Sequence, residues 1–91
     1  MNITWDRRKA EENLAKHQVA FADAEPVLTD PLALTVEDPD AKGEQRFVTV
    51  GSDAFGRILA VIYTYRGETE VRLISARRAT KNERGAYARG I

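Results

Sequence analysis

Apolar residues, alternating with polar ones or in a short continuous run, predict β-strands in five stretches of the chain. The stretch 58–65 is the most apolar, and its nearly continuous run favours a central position in a sheet. Short loops join the last three stretches, which favours antiparallel pairing between consecutive strands. The predicted strands cover residues 3–5, 32–36, 46–51, 58–65 and 69–75.

A first helix is predicted over residues 7–17 from its capping residue and its apolar spacing. Asp6 precedes it and suits an N-cap, because its carboxylate can accept a free N–H of the first turn. Ala10, Leu14 and His17 recur at i, i+4 and i+7, so we expect them on the inward face. The remaining charged residues of this segment are expected to face solvent.

Two more helices follow from local signals. A short helix is predicted over 22–28. Pro26 argues against a longer one, because proline lacks the N–H that a helix interior requires. Thr80 and Glu83 match the S/T-x-x-E capping box of a final helix that runs to about Arg89. The element order β-α-α-β-β-β-β-α predicts an α+β fold, with an antiparallel sheet and helices packed on it.

Length and composition narrow the classes of function. Ninety-one residues suit one domain spanning 1–91, and 43% hydrophobic with 31% charged residues is typical of a globular chain. Zero cysteines exclude a disulfide scaffold and thiolate chemistry, and one histidine argues against a protein-only zinc site. No apolar run reaches the length of a membrane span and no secretory signal is apparent, so we expect a cytoplasmic protein. We also expect no cofactor.

Charge is divided unevenly although the formal net charge is zero. Residues 1–50 contain six Lys/Arg and ten Asp/Glu, whereas residues 51–91 contain eight and four. A basic C-terminal half can bind a polyanion, and an acidic N-terminal half can meet a basic partner. Charges scattered over a solvated surface are an equally good interpretation of composition alone.

The strongest candidate for chemistry is the basic end of the last predicted strand. Arg72 lies within that strand, and Arg77 and Arg78 follow it just before the capped helix that begins near Lys81. Guanidinium groups bind phosphate or carboxylate in a planar fork, and a helix N-terminus adds oriented N–H groups. The alternative is that these arginines form ordinary salt bridges, for which the nearby carboxylates are Glu44, Glu68 and Glu70.

Other candidates depend on single residues. His17 changes charge near neutral pH and suits acid–base work, but a histidine at a helix end is also a favourable partner of the helix dipole. Glu44 and Arg46 share one face of a strand and form either an active-site pair or a surface pair. Ser75 lacks a base beside it in sequence, so a local hydrogen bond is its favoured role as a hydroxyl.

Six segments match, in order, a pattern that runs through most of the chain: Trp5-Asp6-x-x-Lys9-Ala10-x-x-Asn13-x-x-Lys16-His17-x-Val19-x-Phe21, Asp30-Pro31, Glu44-x-Arg46-Phe47, Val50-Gly51, Arg72-x-Ile74-Ser75-Ala76-Arg77-Arg78-Ala79 and Glu83-Arg84-x-x-Tyr87. Together these segments resemble the BrnT family of bacterial type II toxins. The chain departs from the family pattern in two places: Gln18 stands where the family commonly has glycine, and Pro26 interrupts the second helix.

The resemblance implies a RelE-like fold and a metal-independent ribonuclease toxin that cleaves RNA. It also implies a partner, a BrnA-like antitoxin with a ribbon-helix-helix fold, through which the complex would bind operator DNA. For such a reaction the acid–base candidates are Lys16, His17 and Glu44. The candidates for charge neutralisation and RNA binding are Arg46, Arg72, Arg77, Arg78, Lys81 and Ser75.

Two other functions remain open from the residues themselves. One is a non-catalytic module that binds a protein or a nucleic acid, which growth arrest on expression would distinguish from a toxin. The other is an enzyme that acts on a small anion, although the chain contains no phosphate-loop or nucleophile-elbow motif.

Overall fold

A computed structural model describes residues 1–90, which form a five-stranded sheet with helices on both faces. The strands lie in the order β1-β5-β4-β3-β2. The elements are β1 (Asn2–Thr4), α1 (Arg7–His17), α2 (Phe21–Ala24), a 3-10 turn (Glu25–Thr29), β2 (Leu34–Glu37), β3 (Phe47–Ser52), β4 (Ile58–Arg66), β5 (Glu70–Arg78) and α3 (Lys81–Arg89).

The sheet is mixed, so the prediction of a wholly antiparallel sheet is wrong at one edge. β2 through β5 pair antiparallel, whereas β1 pairs parallel with β5, with Ile3 opposite Val71. Short loops constrain the direction of consecutive strands. β1 and β5 are separated by most of the chain, so no turn sets their relative direction and local sequence signals do not report it.

Most predicted elements are present, with two changes of extent. The predicted second helix is divided into α2 and the 3-10 turn, and Pro26 lies in the first positions of that turn, where no N–H is required. β5 continues to Arg78 instead of ending at Ser75. The two arginines predicted to follow the strand therefore belong to it.

One face of the sheet is closed by α1, α2 and the 3-10 turn. Its core contains buried residues of α2, the 3-10 turn, β4 and β5, and Ala10 of α1 is partly buried against them. Trp5 and Phe21 meet edge to face with ring centroids 5.9 Å apart. This face contains most of the buried apolar residues of the domain. Burial of apolar surface stabilises a fold by about 25 cal/mol per Å². The fully buried larger side chains of this face are Phe21, Leu59, Leu73, Val19, Val27, Val61 and Val71.

The inward face of α1 differs from the prediction, because Leu14 is 51% exposed and Asn13 is buried. β1 ends at Thr4, so the later part of β5 has no neighbouring strand on that side. Asn13 takes the place of one: its Nδ2 donates to the Ala76 and Val19 carbonyls at 2.9 Å, and its Oδ1 accepts from the Ala76 N–H at 3.1 Å. These hydrogen bonds satisfy backbone groups at the edge of β5 that would otherwise lack a partner from a neighbouring strand.

The second face is covered only in part, by α3. Val50, Ala60 and Ala79 form a small buried cluster there, with Tyr87 of α3 packed against it. The Tyr87 hydroxyl also donates to Asp30 at 2.6 Å, which ties α3 to the turn before β2. The predicted capping box at Thr80 and Glu83 is confirmed. No helix within residues 1–90 is long and apolar enough to cross a membrane.

Candidate functional site

A β-bulge in β5 decides which of its side chains share a face. Ile62 of β4 pairs with Ser75 and Tyr63 pairs with Leu73, so Ile74 is an extra residue without a partner. Strict alternation predicted that Arg72 and Ile74 share a face. The bulge instead places Arg72, Ser75 and Arg77 together, opposite the core residue Leu73.

The part of the sheet that α3 leaves uncovered is called the open face, and it consists of two rows across the strands. One row consists of the apolar residues Val36, Val48 and Ile62 and ends at the Ser75 hydroxyl. The next row is polar. Thr64 pairs with Arg72, and alternation of β3 places Arg46 on the same side. The open face comprises Val36, Arg46, Val48, Ile62, Thr64, Arg72 and Ser75.

The arginines of this region have different partners. Arg77 forms a two-point pair with Glu83, with its nitrogens 2.7 and 3.1 Å from the carboxylate oxygens. This hydrogen bond lowers the pKa of Glu83 despite its partial burial, and the Thr80 N–H contributes to the same shift. Arg77 therefore joins β5 to the N-terminus of α3.

Arg46 and Arg72 have weaker contacts with carboxylates than Arg77 does. The Arg46 Nε lies 3.6 Å from Glu44 and has no hydrogen-bond partner within residues 1–90, although that atom is buried. Arg72 has no ion-pair partner in the same part of the chain. Its positive charge adds to the backbone N–H groups of Lys9 and Arg8 that lower the pKa of Asp6. Both guanidinium groups remain able to bind an anion.

A cavity of about 210 Å³ lies between α1 and β5 and contains the histidine. Lys16 and His17 line it from the last turn of α1, and Ser75 lines it from the strand. The Ser75 hydroxyl donates to the Asn13 Oδ1 at 3.3 Å, so the residue that seals the β5 edge also orients this hydroxyl. The structure thus brings three predicted site residues together.

A second cavity, also of about 210 Å³, lies over the polar row. Glu44 and Arg72 line it, together with Thr64, whose hydroxyl donates to the Gln45 carbonyl at 2.6 Å. Arg66 and Asp6 complete the charged lining. The two cavities share Lys9 and Ile74, so the sites of His17 and of Arg72 adjoin each other.

Sequence reasoning overlooked Lys9, which it assigned to solvent. A signal was present, however, in the spacing of charges on α1. Arg7 pairs with Glu11 and Arg8 with Glu12, both at 3.4 Å and both at i, i+4. The residue four after Lys9 is Asn13, which is no carboxylate. Lys9 is the cation in this run without an acidic partner at that spacing.

Four of the arginines and lysines predicted to bind RNA line neither cavity: Arg46, Arg77, Arg78 and Lys81. Arg78 pairs with Leu59, which puts it on the face opposite Arg77, and its side chain is exposed beyond the core. Lys81 is the exposed first residue of α3 and lines neither cavity. Within residues 1–90, no three His, Cys, Asp or Glu side chains form a group that could hold a metal ion.

Known proteins resemble this chain in sequence and in fold. The family model described as the ribonuclease toxin BrnT of type II toxin–antitoxin systems matches residues 5–83. The crystal structure of the Brucella abortus ribonuclease toxin BrnT is similar with a TM-score of 0.66 and 32% identity, over 89% of this chain and 99% of that one. No curated protein matches the sequence. The chain belongs to the BrnT family of ribonuclease toxins of type II toxin–antitoxin systems.

Proposed function

We propose that this protein cleaves RNA without a metal ion, by attack of a ribose 2′-oxygen on the adjacent phosphorus. The observation that carries the proposal is the position of Arg72, a guanidinium without a carboxylate partner in residues 1–90, beside the cavity that contains His17. The RelE-like classification implied by the family resemblance is part of the same proposal.

The proposed reaction needs few protein groups. The 2′-oxygen forms a bond to phosphorus as the bond to the 5′-oxygen breaks, which leaves a 2′,3′-cyclic phosphate and a 5′-hydroxyl. A base accepts the 2′ proton, and an acid donates a proton to the departing oxygen. We assign these proton transfers to the set His17, Lys16 and Glu44, which line the two adjoining cavities.

Charge builds on the phosphate oxygens as the phosphorane forms, and we assign its neutralisation to Arg72 and Arg46. Fixed cations aimed at developing charge are a large source of rate in such reactions. Arg77 fits this role less well, because Glu83 already occupies two of its donors. We propose that Arg77 positions α3 and that Ser75 helps to hold the substrate beside His17.

A type II toxin has an antitoxin as its partner, and the family membership extends that expectation to this chain. We propose that the partner is a BrnA-like ribbon-helix-helix protein and that the complex binds operator DNA through it. Co-expression of such a protein from the neighbouring reading frame should restore growth and co-purify with this chain. Growth arrest that persists with the partner present would contradict the pairing.

The central test is cleavage of RNA by purified Arg72→Ala and His17→Ala variants, with exposed Arg89→Ala as the control. Removing Arg72 should raise the barrier by about 2–4 kcal/mol, which is roughly 30- to 1000-fold in rate. Products should carry a 2′,3′-cyclic phosphate and form equally in the presence of a chelator. Full activity in both variants would contradict the residue assignment, and loss of cleavage with the chelator would contradict metal independence.

A further inference from the structure

We propose that the two cavities form one continuous groove, the cation groove, in which Lys9 binds the RNA strand between the two sites. The cation groove is lined by α1 on one side and by β4 and β5 on the other, and it is defined by Lys9, Lys16, His17, Arg66, Arg72 and Ser75. The proposal deepens the proposed function and rests on it, since it assigns a binding role to a residue next to the reacting phosphate.

Continuity of the groove follows from its lining. Lys9 and Ile74 border both cavities, so the space beside His17 adjoins the space beside Arg72 at these two residues. Ile74 is the bulged residue of β5. An extra residue at this point bends the strand locally, and such bulges re-aim neighbouring side chains. A strand of RNA lying along α1 would therefore pass Lys9 in going from one site to the other.

The charges of the groove favour an anion with more than one phosphate. Its three carboxylates are occupied: Asp6 accepts the N–H groups of Arg8 and Lys9, Glu12 pairs with Arg8, and Glu44 lies 3.6 Å from Arg46. The cations have no such partners. Within residues 1–90, none of the following side chains forms an ion pair: Lys9, Lys16, Arg66 and Arg72.

The contrast with its neighbours on α1 marks Lys9 as a binding residue. Arg7 has the same charge, lies in the same helical turn, and pairs with Glu11, with its side chain 94% exposed. It borders a different, mostly apolar groove between α1 and the start of α2. Lys9 instead points toward the side of the helix that carries the buried Asn13. Arg7 is therefore a matched control for the loss of one positive charge.

The test is binding of a fluorescently labelled single-stranded RNA whose 2′-oxygens are methylated, so that it binds without being cleaved. Anisotropy titrations over a salt series give the slope of log affinity against log salt, which is about −0.7 for each phosphate contact on a single strand. Lys9→Ala should reduce the magnitude of the slope by about 0.7. Arg7→Ala should leave it unchanged, and Lys9→Arg should restore it.

Two results would overturn the proposal: an unchanged slope in Lys9→Ala, or an equal reduction in Arg7→Ala. Both residues are exposed on α1, and thermal unfolding should show that each variant remains folded. The readout is independent of cleavage. If unmodified RNA is not cleaved but Lys9→Ala still changes the slope, the ribonuclease proposal fails while the groove stands. If RNA is cleaved and the slope is unchanged, only the groove fails.

Discussion

The two faces of the five-stranded sheet are built from the same strands but carry different kinds of side chain. The helix-covered face is the one closed by α1, α2 and the 3-10 turn. There, Leu59, Val61 and Leu73 are nearly inaccessible to solvent and pack in the main core. On the open face, Thr64 and Arg72 of the same two strands line the cation groove, and Ile62 is half-buried in the neighbouring row. The difference separates the residues that stabilise the fold from those available to bind a ligand.

Truncation of one apolar residue on each face should show this difference most strongly. Leu59→Ala leaves a cavity in the helix-covered face and should lower the free energy of unfolding by about 2–5 kcal/mol. Ile62→Ala, at a half-buried position of the open face, should cost well under half as much. Urea denaturation measures both values, and equal losses would mean that the faces do not differ in packing.

Removal of the side chain that seals β5 should have the next largest effect. Asn13→Ala leaves the Ala76 N–H and two carbonyls without their present partners, at a cost of about 2–3 kcal/mol. The control is Asn82→Ala, because Asn82 is exposed on α3 and should change stability by less than about 0.5 kcal/mol. If the two variants have the same denaturation midpoint, the proposed role of Asn13 is refuted.

Two arginines of β5 should differ in their effect on stability. Arg77→Ala breaks the pair with Glu83 and should cost about 1–2 kcal/mol near neutral pH, whereas Arg72→Ala should cost less than about 0.5 kcal/mol. The comparison fails if chemical denaturation shows Arg72→Ala to be the more damaging change.

The loss in Arg77→Ala should also depend on pH. Because pairing lowers the folded-state pKa of Glu83, its contribution is complete above the ordinary glutamate pKa of about 4.3 and is lost as pH falls through the lowered value. The stability difference between wild type and Arg77→Ala should therefore shrink with acidification below about pH 4. A difference that stays constant down to the acid limit of folding would assign the loss to packing alone.

The smallest expected effect is a gain in stability at the end of α1. Gln18 has a φ of 57°, and its N–H donates to the Leu14 carbonyl at 2.9 Å, which is the left-handed cap that glycine favours. Gln18→Gly should stabilise the protein by about 0.5–1 kcal/mol, while Gln18→Ala should bring no gain. Thermal unfolding distinguishes the variants.

Local signals in the sequence were sufficient for most of the secondary structure. Asp6 and the Thr80–Glu83 box begin their helices as predicted, because capping depends on residues within one turn of each other. The residue types of the site were also recognisable: His17, Lys16, Glu44, Arg72 and Ser75 line the adjoining cavities. Their assignment to the chemistry of RNA cleavage remains a prediction.

Other properties depended on contacts between residues distant in sequence. The parallel direction of β1 and the burial of Asn13 each need a partner far along the chain, which only the folded protein brings close. The bulge at Ile74 has the widest consequence, because a single extra residue reverses the alternation of every later position in β5. Periodicity reports which side chains alternate along a strand. The tertiary hydrogen-bond register decides which of them meet.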